Sequence, residues 1–200
     1  MLRLFALALV GALSSAGLVA SPAQAQGTWW DGIQAWESGT VERVVDGDTL
    51  IVRDDATGQS RRVRLLGINA PEKPTKKKAG QCGGPEAQAI LERTLPVGTS
   101  VRMLSSDPSS TGKRNRPQRV VLAYNPANGL YDQDIAWGMA ERGYGVWFTI
   151  AREAEMSSLY RQVIEQAQKD RIGIWNPNGC GELDQPGANI GIRIHRATSG

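Results

Sequence analysis

Two short segments hold most of the residues whose chemistry could act on a charged substrate. Val45-Asp46-Gly47-Asp48-Thr49 carries two carboxylates across a tight turn. Arg64-Leu65-Leu66-Gly67-Ile68-Asn69-Ala70-Pro71-Glu72 carries a guanidinium, an amide and a further carboxylate. Asp48, the amide oxygen of Asn69 and a backbone carbonyl are hard oxygen donors, which suit Ca²⁺ with water completing its shell. Glu72 is a candidate to hold or deprotonate a water, and Arg64 to grip a phosphate through a two-pronged hydrogen bond. A metal ion and a guanidinium around one phosphodiester would stabilise the charge of an in-line displacement. Taken singly these residues say little. Asp46-Gly47 is a common turn pair, Pro71-Glu72 a plausible strand end, and Arg64 an ordinary surface partner for Glu42. The reading rests on their order and spacing as a set.

The rest of the composition narrows the chemistry. The chain has one histidine, His195, in a Gly-rich tail that is a poor place to orient an imidazole. Ser-His and Cys-His nucleophiles and histidine-based metal hydrolases are therefore disfavoured, leaving carboxylates, lysines, tyrosines or metal-bound water. Lys and Arg number 23 against 20 Asp and Glu, a mild excess that fits a polyanionic partner. Much of it sits in two loops, Lys73, Lys76, Lys77 and Lys78 in one, and Lys113, Arg114, Arg116 and Arg119 in the other. Either run alone reads as solvated surface.

Met1-Leu2-Arg3, an apolar stretch from Leu4 to Ala20 and a small-residue Ala23-Gln24-Ala25 site describe a secretory signal peptide over residues 1–25. A membrane anchor would use the same stretch, but Pro22 and the cleavage-type site favour removal. The expectation is an exported, secreted or periplasmic monomer with no membrane association after cleavage. Outside the cytosol an even pair of cysteines is more often a disulfide than a metal site, so Cys82 and Cys180 are expected to pair.

The elements that must position these residues begin with strands. Residues 26–39 read as a Trp-bearing lead-in, and the main domain as 40–176. Val41 to Val45, Thr49 to Arg53 and Arg62 to Ile68 read as three strands joined by tight turns. A helix starts at Gly84-Pro85-Glu86 and ends before Pro96. Strands over Ser100 to Leu104 and Arg119 to Tyr124 follow, then helices over about 133–142 and 153–170. The tail, 177–200, reads as irregular.

The segments DGDTLIV and RVRLLGINAPE resemble the two active-site motifs of the staphylococcal nuclease family. The similarity continues through GGPEAQAILERTL, RVVLAY, IAWGMAERGYG and RIGIW, from about Val41 to Trp175 with the elements in the same order. The resemblance implies an α+β fold, a five-stranded OB-fold barrel with three helices. It also implies Ca²⁺-dependent cleavage of DNA and RNA to 3′-phosphate products. Residue by residue it makes Asp48 a calcium ligand with Asp46 close behind, Ala70 a backbone-carbonyl ligand, Arg64 a phosphate-binding arginine and Glu72 the general base. A second catalytic arginine corresponds to Arg119, with Arg116 as the fallback. Lys76, Lys77, Lys78, Lys113 and Arg116 are the candidate nucleic-acid contacts. The family's substrate-stacking tyrosines lack clear counterparts here; Tyr144, Trp147 and Phe148 lie in the same region, and core packing is the expected use of at least two of them.

One departure bears on function. The family places an aspartate where this chain has Asn69, which keeps an oxygen donor but loses a negative charge, so calcium affinity should be weaker. A nuclease is the leading expectation. Its rival is an OB module that binds nucleic acid without cleaving it.

Overall fold

The computed structural model describes residues 36–105, 111–112, 116–148, 154–178 and 180, with backbone alone at 111–112 and 154–156. The stretch read as a signal peptide, Trp29 and Trp30 of the lead-in, Lys113, Arg114 and the tail beyond Cys180 with His195 lie outside the described residues.

Strands β1 (Glu37–Asp46), β2 (Thr49–Asp54) and β3 (Ser60–Leu65) form an antiparallel meander, in which Asp46 pairs with Thr49 and Thr49 with Arg64. β1 begins at Glu37, inside the stretch that the sequence pattern marks as lead-in. On its other side β1 pairs with β5 (Ser100–Leu104), and β5 with β7 (Arg116–Asn125). A short parallel pairing of β3 with β7, Arg64 to Gln118 and Leu65 to Arg119, closes the circuit into a five-stranded barrel of the OB type. Three helices, α1 (Gly84–Thr94), α2 (Ile135–Glu141) and α3 (Ala154–Lys169), complete an α+β fold, as expected.

Alternation along the strands sets the two sides of this wall. Leu50, Val52, Val63 and Leu65 are fully buried and fill the barrel, which places their neighbours Thr49 and Arg64 on the outer side. The register carries Gln118 to the side of Arg64 and Arg119 to the side of Leu65. Additional short strands trim the barrel: β4 (Ile68–Asn69) pairs with β9 (Val146–Trp147), β6 (Thr111–Gly112) with β7, and β8 (Leu130–Asp134) with β7. β8 occupies residues whose pattern predicts a loop and the start of α2, so α2 begins at Ile135. Leu-Tyr-Asp-Gln-Asp carries only a weak period-2 apolar signal, and its strand character comes from pairing with β7.

Gly67 turns the chain between β3 and β4 with φ +83°, and a Cβ there would stand 2.0 Å from the ring of Tyr160. Close approach of α3 to this turn thus requires glycine. The Tyr160 hydroxyl donates to Asp134 at 2.9 Å, and Asp134 caps α2 by accepting from the Trp137 N–H at 3.1 Å. Burial pushes the Asp134 carboxyl up to about 6, against the lowering effect of those hydrogen bonds. Its folded value exceeds its unfolded one, so the folded state holds the extra proton and stability falls as pH rises between about 4 and about 6. Asp134→Asn is expected to keep the cap and flatten that slope. By urea unfolding near pH 7 it should stabilise the chain by roughly 1–3 kcal/mol, since each tenfold change in proton affinity is worth about 1.4 kcal/mol. A slope unchanged by the substitution would assign the effect elsewhere.

Cys82 and Cys180 form a disulfide with Cα atoms 5.6 Å apart and a sequence separation of 98. Among the described residues no helix is long and apolar enough to cross a membrane.

Candidate active site

The β1–β2 turn and the β3–β4 segment meet at one edge of the barrel, because Thr49 pairs with Arg64 and the Leu65 N–H donates to the Asp48 carbonyl at 2.8 Å. Gly47 makes the meeting tight. A Cβ on it would lie 2.7 Å from the Cβ atoms of both Ala70 and Ala87, so α1 presses on the turn from behind.

Asp48 is 4 % exposed and fully engaged. Its Oδ1 accepts the Thr49 hydroxyl at 2.8 Å, and its Oδ2 accepts the Ala70 N–H at 3.1 Å and lies 2.8 Å from Arg64 Nη2. The same Nη2 donates to Asn69 Oδ1. Oxygens from two separate segments therefore converge on a single cationic nitrogen. Burial raises the Asp48 carboxyl to about 6, countered by the charge of Arg64, raised further by Asp46 and lowered by the Thr49 and Ala70 hydrogen bonds. A carboxylate driven this way by desolvation depends on nearby positive charge to stay ionised.

Arg64 is held as firmly as Asp48. Its guanidinium lies 5.2 Å from the centre of the Phe148 ring, and its Nε is buried without a hydrogen-bond partner among the described residues. Gln118, paired with Arg64 across β3 and β7, likewise buries an Oε1 that has no partner among them. An orphaned buried donor on a fixed guanidinium is costly in a finished core and calls for an explanation.

The register turns Arg119 to the side of Leu65, where its Nε donates to Glu37 Oε2 at 3.0 Å. Against the desolvation that pushes it up, hydrogen bonds from Arg119 and Arg61 hold the Glu37 carboxyl below its usual range. Arg119 is thus part of a charged network at one end of the barrel. Arg116, the fallback, lies beside the cluster, with Nη1 donating to Thr49 Oγ1 at 3.4 Å. Burial and the charge of Arg64 lower the Arg116 pKa, while Asp48 and Asp46 raise it, so it shares the field of both.

Glu72 lies just past Ala70 with an exposed side chain that makes no hydrogen bond or ion pair to the described residues. Its backbone is fixed through Gln81, whose Oε1 accepts the Glu72 N–H and whose N–H donates to the Glu72 carbonyl, both at 2.7 Å. This clasp closes the loop that carries Lys76, Lys77 and Lys78, all exposed. Thr49, Gln118 and Phe148 complete the surroundings. Pairing the consecutive strands β2 and β3 would have found Thr49, whereas Gln118 reaches Arg64 only through the long-range contact of β3 with β7.

Asp48, Asn69 and Ala70 lie together and offer oxygen, and two of those oxygens already share one cationic partner. Their donors are of the hard-oxygen kind that a cation such as calcium takes, with Asp46 supplying nearby negative charge. Among the described residues no group of three or more Asp, Glu, His or Cys gathers for a metal.

One edge of the OB barrel thus gathers acid, amide and two arginines. The family described as staphylococcal nuclease homologue matches residues 62–177. The chain is 33% identical over 144 residues to a thermonuclease of Staphylococcus intermedius, covering 70% of this chain and 76% of that protein. It is 31% identical over 144 residues to an uncharacterized protein of Bacillus anthracis, covering 70% of this chain and 62% of that one. A probable endonuclease of Verticillium alfalfae is 25% identical over 127 residues, with 62% of this chain and 42% of its own length matched. The chain belongs to the staphylococcal nuclease homologue family.

Proposed function

We propose that this chain is an exported, calcium-dependent nuclease that hydrolyses phosphodiester bonds of DNA and RNA and leaves 3′-phosphate ends. The observation that carries the proposal is the fixed guanidinium of Arg64, anchored by Asp48 and Asn69 and keeping a buried Nε donor without a partner among the described residues. A phosphate oxygen is the ligand that such a donor fits.

Asp48, Asn69 and the Ala70 carbonyl are the residues that would hold calcium. The chemistry a bound calcium ion supplies there is fixed positive charge against the phosphoryl oxygens. Arg64 binds and orients the phosphate, and Arg116 adds a second guanidinium from β7. Glu72 reaches solvent and accepts the proton of the attacking water. Lys76, Lys77 and Lys78 hold the flanking strand by charge. The relatives' names and the disulfide support the activity and the export respectively.

Plasmid nicking tests the activity. With millimolar calcium, cleavage is expected, and it should disappear with chelator. Glu72→Gln should slow it on the order of 10²–10⁴-fold, the usual contribution of a general base. Retained binding without cleavage in saturating calcium would mean that the chain is a binding module.

A further inference from the structure

The C-terminal ends of α1 and α2 enclose a cleft of about 670 Å³ that the site above does not use. Arg93, Arg142, Gln133, Tyr144, Thr94 and Ile90 are among its lining residues. Arg93 and Arg142 are exposed, and neither makes an ion pair with the described residues. Arg142 Nη1 donates to the Gly138 carbonyl at 2.7 Å, which fixes its guanidinium and leaves its other donors for the cleft. The hydroxyl of half-buried Tyr144 has no hydrogen bond to the described residues.

A cation at each helix C-terminus is ordinary complementation of the backbone dipole. That accounts for one arginine per helix, but not for two guanidiniums sharing one cavity with an amide, a phenol and no compensating carboxylate. Such a lining fits an anion with several oxygens.

We propose that this cleft is a second phosphate-binding site, which takes the backbone of a nucleic acid strand away from the bond being cut. The identity of the anion rests on the nuclease reading, whereas the binding site itself rests on the cavity and its charges. The helix sets the separation. Ala87 packs against Gly47 at the active edge, and six residues of α1 from there to Arg93 rise about 9 Å along the axis. A dinucleotide held at the active edge is too short to fill both places, and a longer strand can span them.

The test uses the mature chain, an Arg93→Ala/Arg142→Ala variant, and an Arg43→Ala/Arg53→Ala control that removes two exposed arginines elsewhere. The probes are a dinucleotide substrate and a fluorescent oligothymidylate of about 16 nucleotides, the upper site size of an OB fold. For the long probe the cleft variant should raise KM roughly tenfold with kcat unchanged, and for the dinucleotide it should change neither. In chelator, its binding of the long probe should lose about 1.4 from the slope of log K against log salt, two phosphates at about 0.7 each. The control should leave that slope near the parent value. This equilibrium arm needs no cleavage, so a chain that binds but does not cut still supports the cleft while ending the nuclease reading. Equal effects on long and short probes, a control that matches the cleft variant, or an unchanged slope would each overturn the proposal.

Discussion

Replacing Arg64 by alanine is expected to lower kcat/KM for plasmid or oligonucleotide cleavage about 10³-fold and to destabilise the fold at the same time. The first effect follows from losing a preoriented charged donor at the phosphate, for which a single donor of this kind is worth roughly 10²–10³. The second follows from burial. Asp48, at 4 % exposure, would keep its hydrogen bonds from Thr49 and Ala70 but lose the guanidinium that pairs with it at 2.8 Å. Breaking a buried pair from one side costs about 3–5 kcal/mol, less here because the acid can take up a proton. The two effects separate by experiment. Arg64→Ala combined with Asp48→Asn should recover much of the stability in urea unfolding while cleavage stays lost. Arg64→Lys should preserve more stability than alanine but little activity, since an ammonium cannot anchor on Asp48 and Asn69 and still offer a second donor in a fixed plane. An Arg64→Ala enzyme within a few-fold of the parent would remove this residue from the reaction.

What the sequence disclosed and what it withheld divide along a physical line. Residues fixed by local pattern were legible: the DGD turn, strand β2 and the Pro85-led start of α1 all lie where period and turn chemistry put them, whereas the strand read as running to Ile68 stops at Leu65 and turns at Gly67. The meeting of Asp48 with Asn69 and Arg64 was also legible, since it requires only that consecutive strands pair. The place of the second arginine was not: the family resemblance favours Arg119 with Arg116 as the fallback, but the pairing of β7 with β6 and its parallel contact with β3 decide which side each residue faces. Register between strands distant in sequence is a tertiary choice that no local window records. Strand β8 escaped for the same reason, and so did Gln118, whose importance comes only from standing beside Arg64. Charge offered no help at Arg119, because a buried arginine serving Glu37 and an active-site arginine look alike in a sequence.

The disulfide sets the other large expectation. Cys82 sits between the Glu72–Gln81 clasp and α1, and Cys180 follows the turn of 3-10 helix at Gly173–Trp175, whose Ile174 and Trp175 are buried. The link therefore fastens the last described segment of the chain to the loop that leads away from the active edge. Closing a loop with a sequence separation of 98 removes unfolded-state entropy worth about 4–5 kcal/mol in the chain-entropy model. Cys82→Ser/Cys180→Ser should lose about that much in urea unfolding, and roughly 10–20 °C in Tm at about 2–4 °C per kcal/mol for a domain of this size. The parent in excess reductant should behave like the double variant, because both lack the same constraint. Cleavage at low temperature should change little, since no ligand or charge at the active edge is altered. The expectation bears on compartment as well. A chain that depends on this cross-link for a large share of an ordinary stability of about 5–15 kcal/mol is poorly suited to a reducing cytosol. A loss below about 1 kcal/mol, far short of the chain-entropy value, would show that the tail is held by packing of Ile174 and Trp175 alone, and would remove the disulfide as an argument for export.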